Sequence, residues 1–579
     1  MLWTAAYTAP LLAALMLICV RPRGALSGAL LAAAALPALF LGWTGGAADG
    51  PRAEGLLLGM EFGLDPFRAT LLTFTALLWS LAGWLSGPYF AGDRRRKPYD
   101  IFFAVSMAGN FGLIMAADVP TFYGFFVLMT FASYGLVIHN NTDEARRAAR
   151  VYLIMAVIGE ILLLAALFLA VDAAGSFALS GIREAVAQSP LRDLTIALAL
   201  AGFGVKAGAV PLYFWLPLAH PVAPTPASAV LSGAMIKAGL LGWFHFLPLG
   251  EASLPAWGGG IIAAGMFAAL WAAAVGTLQT HPKTILAYSS ISQMGVITTL
   301  LGIGLSNESL WPAVAPALTL YAAMHGLAKG ALFFGTALHP AAHSARIAVL
   351  AGLGLAALVI AGAPPLAGFV AKYALKDLAE HAPSVWSGVL PPLITVSSFA
   401  TALLLTRFLW ASAGAALPNA KNGGTPAVSA MALPWMLGIA SAGAGPFILN
   451  GRYGAAVEFP ALTAGGLFTS IAPVVLAAAC IVLVMRSAAA RPRIPSVPPG
   501  DFIVLIEQVI GQLQRAIRFG ERINPHYEWL NVVHLSDRII AFETTKAWVD
   551  RVEARLETWS WVGFFFILFI LGFLALFLV

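Results

Sequence analysis

Residues 197–244 read ALALAGFGVKAGAVPLYFWLPLAHPVAPTPASAVLSGAMIKAGLLGWF and place two lysines, Lys206 and Lys237, inside an otherwise apolar stretch. A third lysine, Lys372, lies in the similar setting PPLAGFVAKYAL. A charged side chain at the centre of a bilayer costs about 2.5–3.5 kcal/mol on insertion scales, so such residues usually face a bundle interior or a watery cavity. They commonly mark a route for ions or protons. The stretch therefore predicts a protein that moves charge across a membrane.

The composition is that of a polytopic membrane protein. Of the 579 residues, 60% are hydrophobic and 10% are charged, with a mean hydropathy of +0.84, whereas a soluble chain has about 45–50% apolar and about 25% charged residues. The net charge of +6 comes from basic residues in loops and does not indicate nucleic-acid binding. Cys19 and Cys480 lack the spacing of a metal, iron–sulfur or haem site, and no glycine-rich loop indicates a nucleotide. We predict no metal, no cofactor and no catalytic or redox centre of its own.

Apolar runs of about 20 residues, the length that crosses the hydrocarbon core, predict about sixteen transmembrane helices. Their centres lie near residues 11, 33, 78, 108, 129, 161, 205, 237, 268, 294, 323, 358, 399, 439, 472 and 569. The first run lacks a basic start and is followed by Arg21 and Arg23, so we interpret it as a spanning helix and not as a signal peptide.

Basic residues concentrate in alternate loops, and cytoplasmic loops carry the excess of lysine and arginine. The first set of loops holds Arg21, Arg23, Arg94, Arg95, Arg96, Lys97, Arg146, Arg147, Arg150, Lys283, Arg346, Lys421, Arg486, Arg491 and Arg493. The opposite set holds little beyond Arg52, Arg183, Arg192, Lys376 and Arg452. We expect the first set to face the cytoplasm, in the inner (plasma) membrane of a prokaryote, with both termini outside.

The chain divides into six segments. These are N-terminal transmembrane helices (1–100), two half-channel repeats (101–250 and 251–412), C-terminal transmembrane helices (413–490), an amphipathic lateral segment (501–558) and a final transmembrane anchor (559–579). The lateral segment is highly charged, and its apolar residues recur at helical spacing, which is typical of a helix at an interface. A folded cytoplasmic tail is the alternative interpretation of this segment.

Prolines interrupt two of the lysine-bearing spans. Pro211 follows Lys206, and Pro364 with Pro365 precedes Lys372. A proline removes a helix hydrogen bond, and freed backbone groups at membrane depth are tolerated where they are buried or line a cavity. Broken helices at corresponding places in two halves of a transporter favour an inverted repeat with the path at the breaks.

Further buried charges extend the series. Glu160 lies near mid-span in VYLIMAVIGEILLLAALFLA, and we expect it to pair with Lys206. His325 and Lys329 share one helix face at i, i+4 in YAAMHGLAKGALFFG. Histidine titrates near neutral pH and passes protons in either direction. The predicted path is therefore Glu160, Lys206, Lys237, His325, Lys329 and Lys372; a static ion pair of Glu160 with Lys206 is the structural alternative.

Other charges are interpreted as structural. Lys283 begins a helix at a predicted cytoplasmic edge in THPKTILAYSSISQMG, where an orienting role suffices. Asp65 and Arg68 open a span in LDPFRAT, where capping and interface anchoring suffice.

These motifs resemble those of the antiporter-like membrane subunits of respiratory complex I, Mrp-type cation/proton antiporters and energy-converting membrane hydrogenases. The resemblance rests on VKAGAVPLYFWLPLAHPVAPTPASAVLSGAMIKAGLLG, THPKTILAYSSISQMG, HGLAKGALFFGTALH and PPLAGFVAKYAL, in that order, and covers about residues 60–410. It implies an all-α fold with two inverted five-helix repeats. It also implies that Lys206 is the central lysine of the first half-channel, that Lys237 and His325 relay protons, and that Lys372 is the lysine of the second half-channel. Sixteen spans with a lateral helix before the last one resemble the largest antiporter-like subunit of complex I.

One departure from the family concerns the span near residue 129. The family usually carries a glutamate there, in a motif like FFELM, whereas FYGFFVLMTFASYGLV has Val127. Glu160 lies where some members carry an acidic residue after glycine. The resemblance therefore implies that Glu160 replaces the usual partner of Lys206.

The sequence leaves several functions open. The first is a proton-translocating subunit of a multi-subunit membrane complex, driven by chemistry in partner subunits, for example as part of an oxidoreductase complex. The alternatives are a subunit of an Mrp-type antiporter that exchanges Na⁺ or K⁺ for protons, and an energy-coupling subunit of an inorganic-carbon uptake complex. A degenerate scaffold is the non-transport alternative. All of them predict partner membrane subunits and a lipid bilayer, and none involves nucleic acid.

Overall fold

The computed structural model describes residues 1–19, 24–45, 48–53, 59–338, 343–414, 428–452, 454, 456–460, 464–486, 497–500 and 504. In this part of the chain, twelve helices are long and apolar enough to cross a membrane, which confirms the polytopic helical fold. Three other predicted spans are not among these twelve. The helix near residue 108 carries several charges, the helix near residue 205 is broken, and the helix near residue 472 has a shorter apolar core. Except for residue 504, the predicted lateral helix (501–558) and last span (559–579) lie outside the described residues, so the count of sixteen stays a prediction.

Helices α1–α12 form the first half of the chain. Their bounds are α1 Leu2–Cys19, α2 Ala25–Ala34, α3 Leu36–Gly45, α4 Pro66–Tyr89, α5 Arg96–Met115, α6 Val119–Val137, α7 Asp143–Ala174, α8 Ile182–Gln188, α9 Arg192–Ala207, α10 Trp215–Val222, α11 Thr225–Val230 and α12 Lys237–Phe246. A π-helical turn, Leu231–Met235, joins α11 to α12.

Helices α13–α21 follow. Their bounds are α13 Pro255–Thr277, α14 Pro282–Ser306, α15 Trp311–Gly335, α16 His343–Ala361, α17 Ala367–Glu380, α18 Ser384–Ser387, α19 Leu390–Gly414, α20 Val428–Leu449 and α21 Ala464–Arg486. The spans formed by α11–α12, α14 and α15 are more than nine-tenths buried, whereas only a third of α16 and α20 is buried. The first three therefore form the centre of the bundle, and α16 and α20 lie at its periphery.

One compact unit comprises Met1–Arg52 and Met60–Gly500. A second unit, Ala53–Gly59 with Asp501–Val579, lies almost wholly outside the described residues.

The structure adds a small sheet to the all-α prediction. Strands β1 (Ala48–Ala53) and β2 (Met60–Leu64) pair in the connection between α3 and α4. Phe62 of β2 stacks on Tyr7 of α1 with ring centres 5.0 Å apart. Because the sequence lacks a clear alternating pattern in this short connection, the strands were not predicted.

Acidic caps fix where two spans begin. The Asp65 carboxylate accepts hydrogen bonds from the Arg68 backbone amide and Nε, both at 2.8 Å, and Pro66 occupies the first position of α4. Burial alone would raise the pKa of the Asp65 carboxyl, but the Arg68 guanidinium and these hydrogen bonds hold that pKa below its ordinary value. Asp118 caps α6 in the same manner through Thr121. Asp65 and Arg68 thus have the capping geometry that we expected.

Both proline-containing segments interrupt their helices. α9 ends at Ala207, and the chain passes through Gly208 in the left-handed conformation (φ 71°) before α10 begins. α16 ends at Ala361, and Gly362 (φ 85°) leads into the break before α17. Pro211 lies in the first break, and Pro364 and Pro365 lie in the second.

Loops from separate parts of the chain meet at one end of the bundle. Arg95 donates a hydrogen bond from Nη1 to the Asn140 carbonyl at 3.0 Å, and the Asn140 amide donates to the Val222 carbonyl at 2.7 Å. Lys283 Nζ donates to the carbonyl of Ala223 at 2.7 Å. Basic loops that the sequence predicts to be cytoplasmic therefore share one face.

Candidate functional site

Lys206 is held by a hydroxyl network between α6 and α7. It is the next-to-last residue of α9 and is 5% exposed. Its Nζ donates a hydrogen bond to the Tyr152 hydroxyl at 3.1 Å and lies 5.5 Å from the centre of that ring. The Tyr152 hydroxyl donates to the Thr130 carbonyl at 2.7 Å and lies 3.1 Å from Ser133 Oγ. The ammonium is therefore oriented by a tyrosine that is itself anchored to α6.

Glu160 shares a cavity with Lys206 without contacting it. The cavity measures about 20 Å³, and its walls include Thr130, Tyr152, Glu160 and Lys206. Both carboxylate oxygens of Glu160 are buried and have no hydrogen-bond partner among the residues that the structure describes. The expected direct pairing is therefore absent from this conformation. A space of this size accommodates one water molecule, so the two charges face each other across a single small chamber.

The residue at the family's glutamate position lies beside this chamber. Val127 is half-buried on α6 and is not one of the residues that line the cavity, whereas Phe126 and Thr130 of the same helix do line it. Val127 lies about one turn before Thr130. The carboxylate in this chamber comes from α7 through Glu160.

Lys237 and His325 make direct contact at the centre of the bundle. Lys237 Nζ lies 3.1 Å from His325 Nδ1 and donates a second hydrogen bond to the Ser232 carbonyl at 3.0 Å. Both side chains are fully buried. When Lys237 is a charged ammonium, which only donates hydrogen bonds, Nδ1 accepts and the proton of the neutral ring lies on Nε2. Within the described part of the chain, His325 Nε2 has no hydrogen-bond partner.

Two glycines allow this contact. A Cβ on Gly233, in the π-helical turn, would lie 2.7 Å from the Gly326 carbonyl oxygen, and a Cβ on Gly326 would lie 2.7 Å from the Gly233 carbonyl oxygen. No larger residue fits at either position while the backbones remain this close. A π-helical turn also changes the helical register and is frequent at functional sites. The close approach places Lys237, just after the turn, against His325 of α15.

One face of α15 continues the polar series. Tyr321, His325 and Lys329 recur at every fourth residue and are fully buried. The Tyr321 hydroxyl donates to Gln293 Oε1 at 2.8 Å, and Gln293 Nε2 lies 3.1 Å from Thr401 Oγ1. Lys329 Nζ donates to the Leu286 carbonyl at 2.5 Å. A hydroxyl, an imidazole and an amine therefore line successive turns of a single helix.

Lys372 is held by the second helix break. It is 7% exposed, and its Nζ donates a hydrogen bond at 2.9 Å to the carbonyl of Ala361, the last residue of α16. The lysine thus satisfies a carbonyl that the break leaves without a helical partner.

The predicted site residues form three groups in this conformation. The first group is Glu160 with Lys206, the second is Lys237, His325 and Lys329, and the third is Lys372. Among the described residues, no hydrogen bond joins one group to another. A continuous path therefore requires movement of side chains or water between the groups.

Sequence reasoning missed the neutral partners of the lysines. Tyr152, Thr130, Ser133 and Ser232 surround Lys206 and Lys237. A weak signal existed, since Thr130 and Ser133 are three residues apart and lie on one side of an otherwise apolar helix. Which hydroxyl reaches which lysine depends on how separate helices pack.

A second, larger cavity lies elsewhere in the described part of the chain. It measures about 330 Å³, and Asp65, Arg183, Trp311 and Asn450 are among its lining residues. None of the six predicted path residues lines it. The small chamber at Glu160, rather than this larger space, is therefore the candidate site.

Fold and site together define a polytopic membrane protein whose interior holds amine, imidazole and carboxylate groups. Residues 116–387 match the model of the family described as NADH:quinone oxidoreductase/Mrp antiporter, TM. This match includes all six predicted path residues and confirms the resemblance to antiporter-like membrane subunits.

Curated relatives match about half of this chain. An uncharacterized protein of Mycobacterium tuberculosis is 32% identical over 286 residues, which cover 46% of this chain and 44% of the relative. Hydrogenase-4 component B of Escherichia coli is 27% identical over 292 residues, which cover 47% of this chain and 44% of the relative. Na(+)/H(+) antiporter subunit A1 of Staphylococcus haemolyticus is 28% identical over 340 residues, which cover 54% of this chain and 42% of the relative. The chain thus spans less than half the length of each of these relatives.

Two solved structures share the fold. The Mrp complex from Dietzia sp. DQ12-45-1b aligns with a TM-score of 0.68 and 23% identity, covering 95% of this chain and 62% of the other. The membrane-bound sulfane sulfur reductase, an archaeal respiratory membrane complex, aligns with a TM-score of 0.66 and 21% identity, covering 93% and 99%. At these identities the likeness concerns the fold alone.

Proposed function

We propose that this chain is a proton-translocating, antiporter-like subunit of a multi-subunit membrane complex. Protons move along the mid-membrane series Glu160, Lys206, Lys237, His325 and Lys329 to Lys372. Partner subunits supply the driving reaction, and the complex lies in the inner membrane of a prokaryote.

The observation that carries the proposal is the contact between Lys237 and His325. An amine and an imidazole 3.1 Å apart, both fully buried, are within hydrogen-bond reach for proton exchange. A purely structural lysine at this depth would be better stabilised by a carboxylate. Among the described residues, Lys237 instead donates to the ring and to a carbonyl. Neutral acceptors of this kind allow the amine to be either charged or neutral.

The helix breaks support the same function. Lys206 lies one residue before the end of α9, and Lys372 lies in the second turn of α17. Each lysine is therefore at a point where a span is interrupted. Local movement of the backbone there breaks few helical hydrogen bonds. Broken helices at membrane depth are where transporters place their binding and relay groups.

Replacement of Lys206 tests the proposal. The complex that co-purifies with the chain is reconstituted in liposomes, a potassium gradient with valinomycin supplies the membrane potential, and an internal pH dye reports proton entry. Lys206→Ala should abolish proton transport without preventing assembly. Lys97→Ala is the matched control, because Lys97 Nζ donates a hydrogen bond to the Ile18 carbonyl away from the path. This variant should transport protons normally. Undiminished proton transport by assembled Lys206→Ala protein would reject the assigned path.

Exchange of sodium or potassium for protons is the second candidate. It is favoured by the similarity to Na(+)/H(+) antiporter subunit A1 and to the Mrp complex. Oxygen atoms suited to a hard cation are present in the small chamber, where Glu160 and Thr130 meet. In liposomes prepared without valinomycin, proton movement driven by an imposed Na⁺ or K⁺ gradient would select this function. Absence of such movement, in a preparation that takes up protons when a membrane potential is applied, would select proton translocation.

A further inference from the structure

His220 is a buried histidine outside the proposed path. It lies on α10, two residues before its end, and is fully buried. Neither ring nitrogen has a hydrogen-bond partner among the described residues. A buried polar group without a partner costs about 1–3 kcal/mol. Packing alone does not account for this residue, since a phenylalanine would fill the same space without that cost.

Two lysines lie near His220. Its ring stacks on Phe333 of α15 with ring centres 4.7 Å apart, and Lys329 Nζ lies 5.6 Å from the centre of the same Phe333 ring. Lys283 Nζ donates to the carbonyl of Ala223, three residues after His220. The charged groups that act on the imidazole are those of Lys329 and Lys283. His220 is therefore near the amines of both Lys329 and Lys283, and these two amines have different hydrogen-bond acceptors, the carbonyls of Leu286 and Ala223.

These residues differ in depth. Lys283 is half-buried at the start of α14, next to the exposed His281. Lys329 is fully buried six residues before the end of α15, which corresponds to about 9 Å of helix. A route from Lys283 through His220 to Lys329 thus leads from one membrane face into the bundle, where Lys329 is one turn from His325.

We propose that His220 carries protons between Lys283 at the membrane face and Lys329 inside the bundle. The inference rests on the proposed function and adds an access branch to its path. The neutral ring accepts a proton on one nitrogen and becomes an imidazolium. It then releases the proton of the other nitrogen to a neutral Lys329 amine, and a ring flip restores the first tautomer. Only N–H bonds form and break in this exchange.

Aromatic replacement separates relay from packing. His220→Phe keeps the stack on Phe333 and removes the titrating nitrogens, and it should lower valinomycin-driven proton transport at least tenfold. Lys283→Arg keeps a positive donor for the Ala223 carbonyl but does not release its proton, so it should lower transport by a similar factor. The control is His381→Phe, because His381 is exposed and lies just after the end of α17; this variant should transport normally.

Chemical rescue gives a second readout. His220→Ala should be inactive, and imidazole added on the Lys283 side should restore part of its proton transport, whereas added imidazole should leave Lys206→Ala inactive. Normal transport by His220→Phe alongside an inactive Lys206→Ala would overturn the inference and leave the proposed function standing. Normal transport by both variants would reject the proposed function itself. Assembled His220→Ala protein that imidazole does not stimulate would also count against the relay.

Discussion

Tyr152→Phe is the sharpest probe of how Lys206 works. The substitution removes one oxygen and retains the ring, so the cation–ring distance of 5.5 Å is preserved while the 3.1 Å hydrogen bond is lost. A hydrogen bond to a charged group contributes about 1.5–3 kcal/mol. The retained ring favours the lower end of that range, and about 1.4 kcal/mol corresponds to a factor of ten in an equilibrium. We therefore expect the charged, chamber-facing state of Lys206 to become about tenfold rarer and proton transport to fall by a similar factor.

The assay is the valinomycin-driven proton uptake of reconstituted complex, normalised to the amount of assembled protein. Tyr99→Phe is the matched control. Tyr99 is also fully buried, but its hydroxyl has no hydrogen-bond partner in the described ranges, so its removal should leave transport unchanged. Wild-type transport by Tyr152→Phe, in a preparation where Lys206→Ala is inactive, would refute the idea that the tyrosine hydroxyl positions the working lysine.

Three further perturbations test other parts of the structure. Glu160→Ala should abolish transport, and adding Val127→Glu should restore part of it, whereas no recovery would show that the carboxylate cannot be supplied from α6. Gly326→Ala should lower the free energy of unfolding by about 1–3 kcal/mol and reduce transport, since its Cβ would meet a carbonyl at 2.7 Å, while Gly354→Ala, with open space around it, should be neutral in thermal melting and transport. Asp65→Ala should cost about 2 kcal/mol at pH 7, from a lost cap and a charged hydrogen bond. Because the folded pKa of Asp65 is lowered, this contribution is present above about pH 3.9 and is lost as the pH falls through that folded pKa, which melting curves of both proteins against pH would detect.

The candidate lysines could be found from the sequence because their surroundings are so apolar. A lysine such as Lys237 in SGAMIKAGLLGW has no water-exposed position available within a spanning helix. The breaks were equally visible, since Pro211 and Pro364 remove helix donors wherever the helix lies. The contacts were not visible in the same manner. Whether Lys237 contacts His325 depends on the approach of Gly233 to Gly326, which periodicity does not encode.

The expected pairing of Glu160 with Lys206 shows where spacing arguments end. Both residues were placed near mid-span from the lengths of their apolar runs, and they do share a chamber. The side-chain rotamers and the competing Tyr152 hydroxyl then decide which atoms meet, and the hydroxyl is the group in contact with the amine. The sequence pattern predicts how deep in the membrane a residue lies along its helix. Whether two side chains touch also depends on how each helix is rotated about its axis and how its neighbours are tilted.

The distribution of carboxylates gives a reason why this interior should exchange protons rather than store fixed charges. In the described spans, the buried carboxylates are Asp100 and Glu160, and Asp100 is paired with Arg96 at 3.1 Å. Glu160 is thus the carboxylate left to balance the positive charge of the lysines in the three groups of path residues, which include Lys206 and Lys237. Like charges repel strongly in a medium of low dielectric constant, so the amines cannot all be charged at once. The series therefore has fewer protons than sites, and a vacant site beside an occupied one is what a proton needs in order to move.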